Sequence, residues 1–186
     1  MTIKSVTQSV SMLAVLGLLP GTLTAKDNHE QLAMEKEGVQ LIRQLEEVGR
    51  DVRYEAGRLT SISGSPQYTK WTHVHRLEQI KSLVNDGLRP ALTRLTVIQP
   101  MLPEWKRQSI DKMLEAAQML AADTNAAIWT KNDSGAMPLA MNAEYKTLLG
   151  KIYEHSELLV KTSDAAATYA AARLKAHEAG MKVPKQ

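Results

Sequence analysis

The sequence predicts an all-α protein: an up-down-up-down four-helix bundle with long helices, preceded by a cleaved signal peptide. Three observations predict it. Four long segments repeat apolar residues every three or four positions, the period of a helix that buries one face. The breaks between them are short, which favours neighbouring helices packed side by side. Phenylalanine is absent and aromatic residues make up only 4% of the chain, so the core must come from Leu, Ala, Met, Ile and Val, a set that suits helix on helix better than sheet.

The first segment reads as an address. Lys4 stands in a short polar start, Val10 to Leu19 is almost continuously apolar, and Pro20-Gly21 leads to Ala25 just before the charged sequence begins. This is the layout of a secretory signal peptide cut after Ala25. Leu23, three residues before that cut, fits less well than alanine or valine. The apolar run is short for a membrane span of about 20 residues, and with no cysteine in the chain there is none to carry a lipid. The expected division is a signal peptide at 1–25, a bundle at 26–180 and a flexible basic tail at 181–186. No later segment is apolar enough to cross a bilayer, so the mature chain is expected to be periplasmic or secreted, without a transmembrane segment.

The first helix opens at Asp27-Asn28-His29-Glu30, which has the form of a capping box. Its stripe is Met34, Leu41, Leu45, Val48, Val52, Ala56, Leu59 and Ile62, and Gly64 ends it. Ser65-Pro66 is read as the start of the second helix, since serine caps orphan amides and proline needs no amide partner at the first position. That helix carries Leu77, Ile80, Val84, Leu88, Ala91, Leu95, Ile98 and Leu102. Asn85-Asp86-Gly87 followed by Pro90 is expected to kink or break it.

Pro100 and Pro103 make a corner into the third helix, whose apolar face runs Ile110, Met113, Leu114, Ala117, Leu120, Ala121, Thr124 and Ile128. Asn132-Asp133-Ser134-Gly135 breaks it. The fourth helix is expected from about Pro138 to Ala179, with Met141, Tyr145, Leu148, Ile152, His155, Leu159, Thr162, Ala166, Tyr169 and Arg173 on one face and an alanine-rich second half. Gly180 is its expected stop.

Charge and composition exclude several functions. The formal charge of +3 is dispersed, whereas a nucleic-acid interface clusters basic residues with aromatics, so no nucleic-acid partner is expected. Residues 26–63 hold six basic and eight acidic side chains, and residues 66–100 hold five basic and two acidic; adjacent helices of opposite sign should pair. Without cysteine there is no thiolate metal site, thiol nucleophile or covalent haem attachment. No histidine has a glutamate three residues before it, the spacing that di-iron bundles use. Phosphate-cradling glycine loops, His-Glu-x-x-His and the serine elbow are absent too.

What remains are candidates. His73 and His75, two positions apart, point about 200° away from each other on a helix, so His73 falls on the buried stripe and His75 off it. Laying the helices antiparallel puts His73 near the level of Met141, and His155 near that of Met113. Histidine facing methionine can ligate haem iron or copper. No cofactor is expected in the leading interpretation; haem or copper is the alternative. Trp71, Trp105 and Trp129 stand near helix ends, as rim residues or as a docking patch. Trp71, with Tyr68 before it and Lys70 and Arg76 around it, is the best candidate contact for a partner. The reading that follows is a non-enzymatic protein- or envelope-interaction module whose partner is an unknown protein or envelope component.

Overall fold

The computed structural model describes residues 25–65, 67–133 and 139–178, with side chains described within 30–65, 67–133, 139 and 141–176. The expected signal peptide, apart from Ala25, and the basic tail lie outside these residues. The described residues are helical with short connections and no strand, and they pack as a four-helix bundle. Helix α1 spans Ala25–Ser63. The second rod is continuous through α2, Lys70–Ser82, a π-helical turn at Leu83–Leu88, and α3, Arg89–Ile98. Helix α4 is Glu104–Asp133 and α5 is Ala143–Glu178.

Burial shows a tighter rule than a loose apolar stripe. On α1 a run of buried residues, Ile42, Leu45, Gly49, Val52, Ala56, Leu59 and Ser63, has steps that alternate strictly between three and four, beyond the buried pair Gly38 and Val39. On α5 the same alternation links Tyr145, Leu149, Ile152, Ser156, Leu159, Ser163, Ala166 and Ala170. On α4 it links Lys106, Ile110, Met113, Ala117, Leu120, Thr124, Ala127 and Lys131. A strict seven-residue repeat on a 3.6-residue helix drifts by about 20° per heptad unless the helices coil around one another.

The second rod obeys the rule with one exception. His73, Leu77, Ile80 and Val84 alternate, as do Leu88, Ala91, Leu95, Ile98 and Leu102, but the step from Val84 to Leu88 repeats a four where a three is due. One extra residue sits there, and the π turn falls on it. The amide of Arg89 donates to the carbonyl of Val84, five residues back. Pro90 brings no amide, and in an α-helix its ring would crowd the carbonyl of Asp86; the widened turn accommodates the proline and the extra residue together. The expected break at Asn85 to Pro90 is therefore corrected to a continuous rod with one wide turn. Gly87 lets this turn lie against α1, because a Cβ there would stand 2.8 Å from Val48 Cγ1.

Two helix starts also differ from expectation. The second rod begins at Lys70, with Thr69 in extended conformation before it, and not at Ser65-Pro66. Helix α5 begins after Asn142, whose side-chain Oδ1 accepts from the amide of Tyr145 at 3.0 Å, a true N-cap. Leu139–Met141 form a separate 3-10 turn, so Pro138 does not open the helix. Asp27 lies inside α1, two residues past its start.

The most extensive contact joins α1 to α5. Its seam is built of small residues at seven-residue intervals, Gly49, Ala56 and Ser63 on one helix and Ser156, Ser163 and Ala170 on the other. A Cβ on Gly49 would lie 3.1 Å from Val160 Cγ2, and one on Gly57 would lie 3.4 Å from the Tyr153 ring, which measures how near the helices come. The opposite charges of the first two rods do meet: Arg94 forks onto Glu37, with Nη2 to Oε2 at 2.9 Å, and Arg76 reaches Glu55.

Gly87→Ala is expected to destabilise by about 1–3 kcal/mol through overpacking against the stiff Val48, with Val48→Ala recovering part of the loss. Gly150→Ala, where a Cβ would meet nothing within 4 Å, is expected to stabilise by about 0.5–1 kcal/mol. Urea midpoints for the two variants should move in opposite directions; a shared direction contradicts the packing at the π turn.

Candidate functional site

The first turn of α2 carries the richest chemistry, and helix geometry divides it. His73 points inward and is 1% exposed. Its Nδ1 lies 3.2 Å from the hydroxyl of Tyr145, and the rings meet edge-on with centroids 5.6 Å apart. His75 points outward and stacks on Trp71, with ring centroids 5.5 Å apart and planes within 3°. One face of an indole that is 72% exposed is thereby held by its neighbour one turn on. Arg76 is tied to Glu55 of α1, so of the four residues put forward as a contact, Trp71 and Tyr68 are the open ones. Lys70 is exposed and lies beside them.

The core of this end is polar on every rod. Ser63 is the last residue of α1, His73 stands in the first turn of α2, Lys131 in the last turn of α4 and Tyr145 in the first turn of α5; all four are buried. Ser63 donates to the carbonyl of Thr60 at 2.7 Å. Burial pushes the His73 imidazole below its ordinary range and the Tyr145 phenol above its own, because a charge on either would lose its hydration. His73 is held neutral by its surroundings.

Outside this polar layer the same end exposes large apolar side chains. Tyr54, Tyr68, Trp71, Trp129 and Met141 are each more than 40% exposed; Trp71 is in the first turn of α2, Tyr68 in the connection before it, Trp129 near the end of α4, Met141 in the turn before α5, and Tyr54 nine residues before the end of α1. Further along α5 Tyr153 and Leu158 are exposed as well, and at the opposite end the exposed large hydrophobics are Val97 and Met101, with no aromatic among those two. There Trp105 packs edge-on against Tyr169 at 4.5 Å between centroids, under Arg173. The three tryptophans thus divide into two exposed ones at one end and one packed one at the other.

The residues considered for haem or copper fall differently. Met141 sits on the 3-10 turn and is 75% exposed, while His73 faces Tyr145; the structure does not bring the two together. His155 pairs with Asp123 at 2.7 Å, whereas Met113 is fully buried ten residues earlier on α4, about 15 Å along the axis. Among the described residues no three His, Asp or Glu side chains gather where they could hold one metal ion.

Two features went unread in the sequence. Lys106 is 1% exposed and its ammonium lies 3.3 Å from Glu35; burial lowers its pKa against the pull of Glu35. Its place four residues before Ile110, on the stripe, was the available signal. Between α3 and α4 runs an apolar groove of about 220 Å³ lined by Val84, Leu88, Leu92, Leu114, Ala117 and Ala121. Arg89 at its edge is occupied with Asn85 at 2.9 Å. No protein-family model, curated protein or solved structure matches this chain.

His73 sets a pH dependence with a definite sign. Unfolded, the imidazole takes a proton near its ordinary value of 6.5; folded, it does so only at lower pH. The stability it contributes is present above 6.5 and is lost as pH falls through the lowered folded value. Melting temperature should therefore fall between about pH 7 and about pH 5, and His73→Gln should flatten that fall. Equal pH dependence of the two proteins would contradict a neutral, buried His73.

Proposed function

We propose that this chain is a non-enzymatic interaction module of the periplasm or cell exterior, exported by its N-terminal segment, and that its contact surface is the end of the bundle bearing Trp71. The carrying observation is that both exposed tryptophans, Trp71 and Trp129, stand at that end, with Tyr68 beside them. Exposed tryptophan and tyrosine held in place at low entropic cost are the side chains that dominate protein contacts, and Trp71 is held by His75. The up-down-up-down order belongs to this reading. It is supported by contacts that run in opposite chain directions, Gly49 with Val160 and Gly57 with Tyr153, then Glu37 with Arg94 and Glu55 with Arg76. That order sets the start of α2 beside the start of α5, where His73 meets Tyr145.

No observation favours an enzyme among the described groups. The best-oriented hydrogen-bonded pairs, His73 with Tyr145 and His155 with Asp123, each lack a third group arranged as a nucleophile.

Trp71→Ala removes the indole without disturbing a buried residue, so wild type and variant should melt alike. Incubated with an envelope extract, the wild-type protein should retain a component that the variant retains at least about tenfold less, the loss expected of a central aromatic contact worth some 1.4 kcal/mol or more. Equal retention rejects this end as the contact surface.

A further inference from the structure

We infer that the aromatic end docks on an anionic lipid surface, an inference that rests on the assignment of this end as the contact surface. Three features carry it. First, the exposed side chains are Trp71, Trp129, Tyr54, Tyr68 and Met141; the four aromatics join an apolar ring to a polar edge, the combination that settles at the boundary of headgroups and acyl chains. Second, they come from α1, from the start of α2 and the connection before it, from the end of α4 and from the turn before α5, and line no single groove. A protein hot spot inserts into a shaped pocket, whereas a lipid interface accepts several separate side chains presented by one end of a rod.

Third, charge complements such a surface. Residues 56–77 contain Arg58, Lys70 and Arg76 and no carboxylate. Across the whole end, residues 54–76 and 129–147, Lys131 is buried and Arg76 is held by Glu55, which leaves the exposed cations Arg58, Lys70 and Lys146 against the exposed carboxylates Asp133 and Glu144. Each basic residue close to an anionic leaflet adds attraction that salt screens. No described helix is long and apolar enough to cross a membrane; attachment by this end is shallow and reversible, carried by side chains alone.

The test uses the purified chain and extruded vesicles of phosphatidylcholine with and without 30% phosphatidylglycerol. The wild-type protein should co-sediment with the anionic vesicles and blue-shift its tryptophan emission, and binding should weaken at least tenfold both on neutral vesicles and when salt is raised to about 0.5 M. Trp71→Ser/Trp129→Ser should lose at least tenfold in affinity on anionic vesicles while melting like the wild type. Val97→Ser/Met101→Ser, at the other end, should bind as the wild type does. Absence of wild-type binding, or equal losses in the two double variants, overturns the lipid assignment. A third arm offers envelope proteins stripped of lipid. If these are retained by the wild type but not by Trp71→Ser/Trp129→Ser while vesicles are ignored, the lipid assignment fails and the contact end stands. If neither vesicles nor proteins are retained, both fail.

Discussion

Register is the constraint on which this bundle depends. Three of its rods keep an unbroken alternation of three and four between buried residues, so each presents one continuous seam only if the helices coil about one another. The second rod carries one residue too many and a proline two positions beyond. In a plain α-helix the extra residue would rotate everything past it by about 100° and turn Leu95 and Ile98 out of the core. The π turn removes that rotation locally. Its cost, one widened set of hydrogen bonds, falls where Pro90 would have removed a bond anyway, and Gly87 lets α1 close over it.

The site inherits its order from that register. With the second rod in phase at both ends, His73 arrives inside, opposite Tyr145, and Trp71 and His75 arrive outside, stacked. The small-residue seam between α1 and α5 draws those helices close over most of their length, while α3 and α4 stand apart enough to leave an apolar groove. At the Trp71 end the alternating core positions of all four rods are filled by polar side chains, Ser63, His73, Lys131 and Tyr145, whereas elsewhere buried polar residues such as Thr124, Ser156 and Ser163 stand among Leu, Ile and Ala. A core ending in groups that must be hydrogen-bonded or kept neutral binds less tightly there than one ending in leucine.

Much of this was legible in the chain, for reasons that can be assigned. The stripes identified the rods and their buried faces, and the two-residue spacing of His73 and His75 placed one inside and one out. The double four-residue step at Ile80, Val84 and Leu88 was also visible, but read as a stripe it looked ordinary; only as a heptad does it show an inserted residue. The start of the last helix was expected at about Pro138, whereas Asn142 caps it four residues later, and that shift removed Met141 from the buried face. Lys106 and Lys131 were passed over because a lysine on an apolar stripe is normally taken for an edge residue, whereas each here fills a core position at a rod's end. Pairings across the bundle, such as His155 with Asp123 in place of Met113, depend on axial offsets of a turn or more, which loop lengths alone do not set.

The claim that the second rod is one helix kept in phase by a π turn can be measured directly. In isotopically labelled protein, scalar couplings across hydrogen bonds report which carbonyl each amide faces. The amide of Arg89 should couple to the carbonyl carbon of Val84, five residues back, with helical chemical shifts running unbroken from Lys70 to Ile98. A coupling of Arg89 to Asn85, or a loss of helical shifts between Asn85 and Pro90, would contradict the continuous rod and the register that places His73 and Trp71.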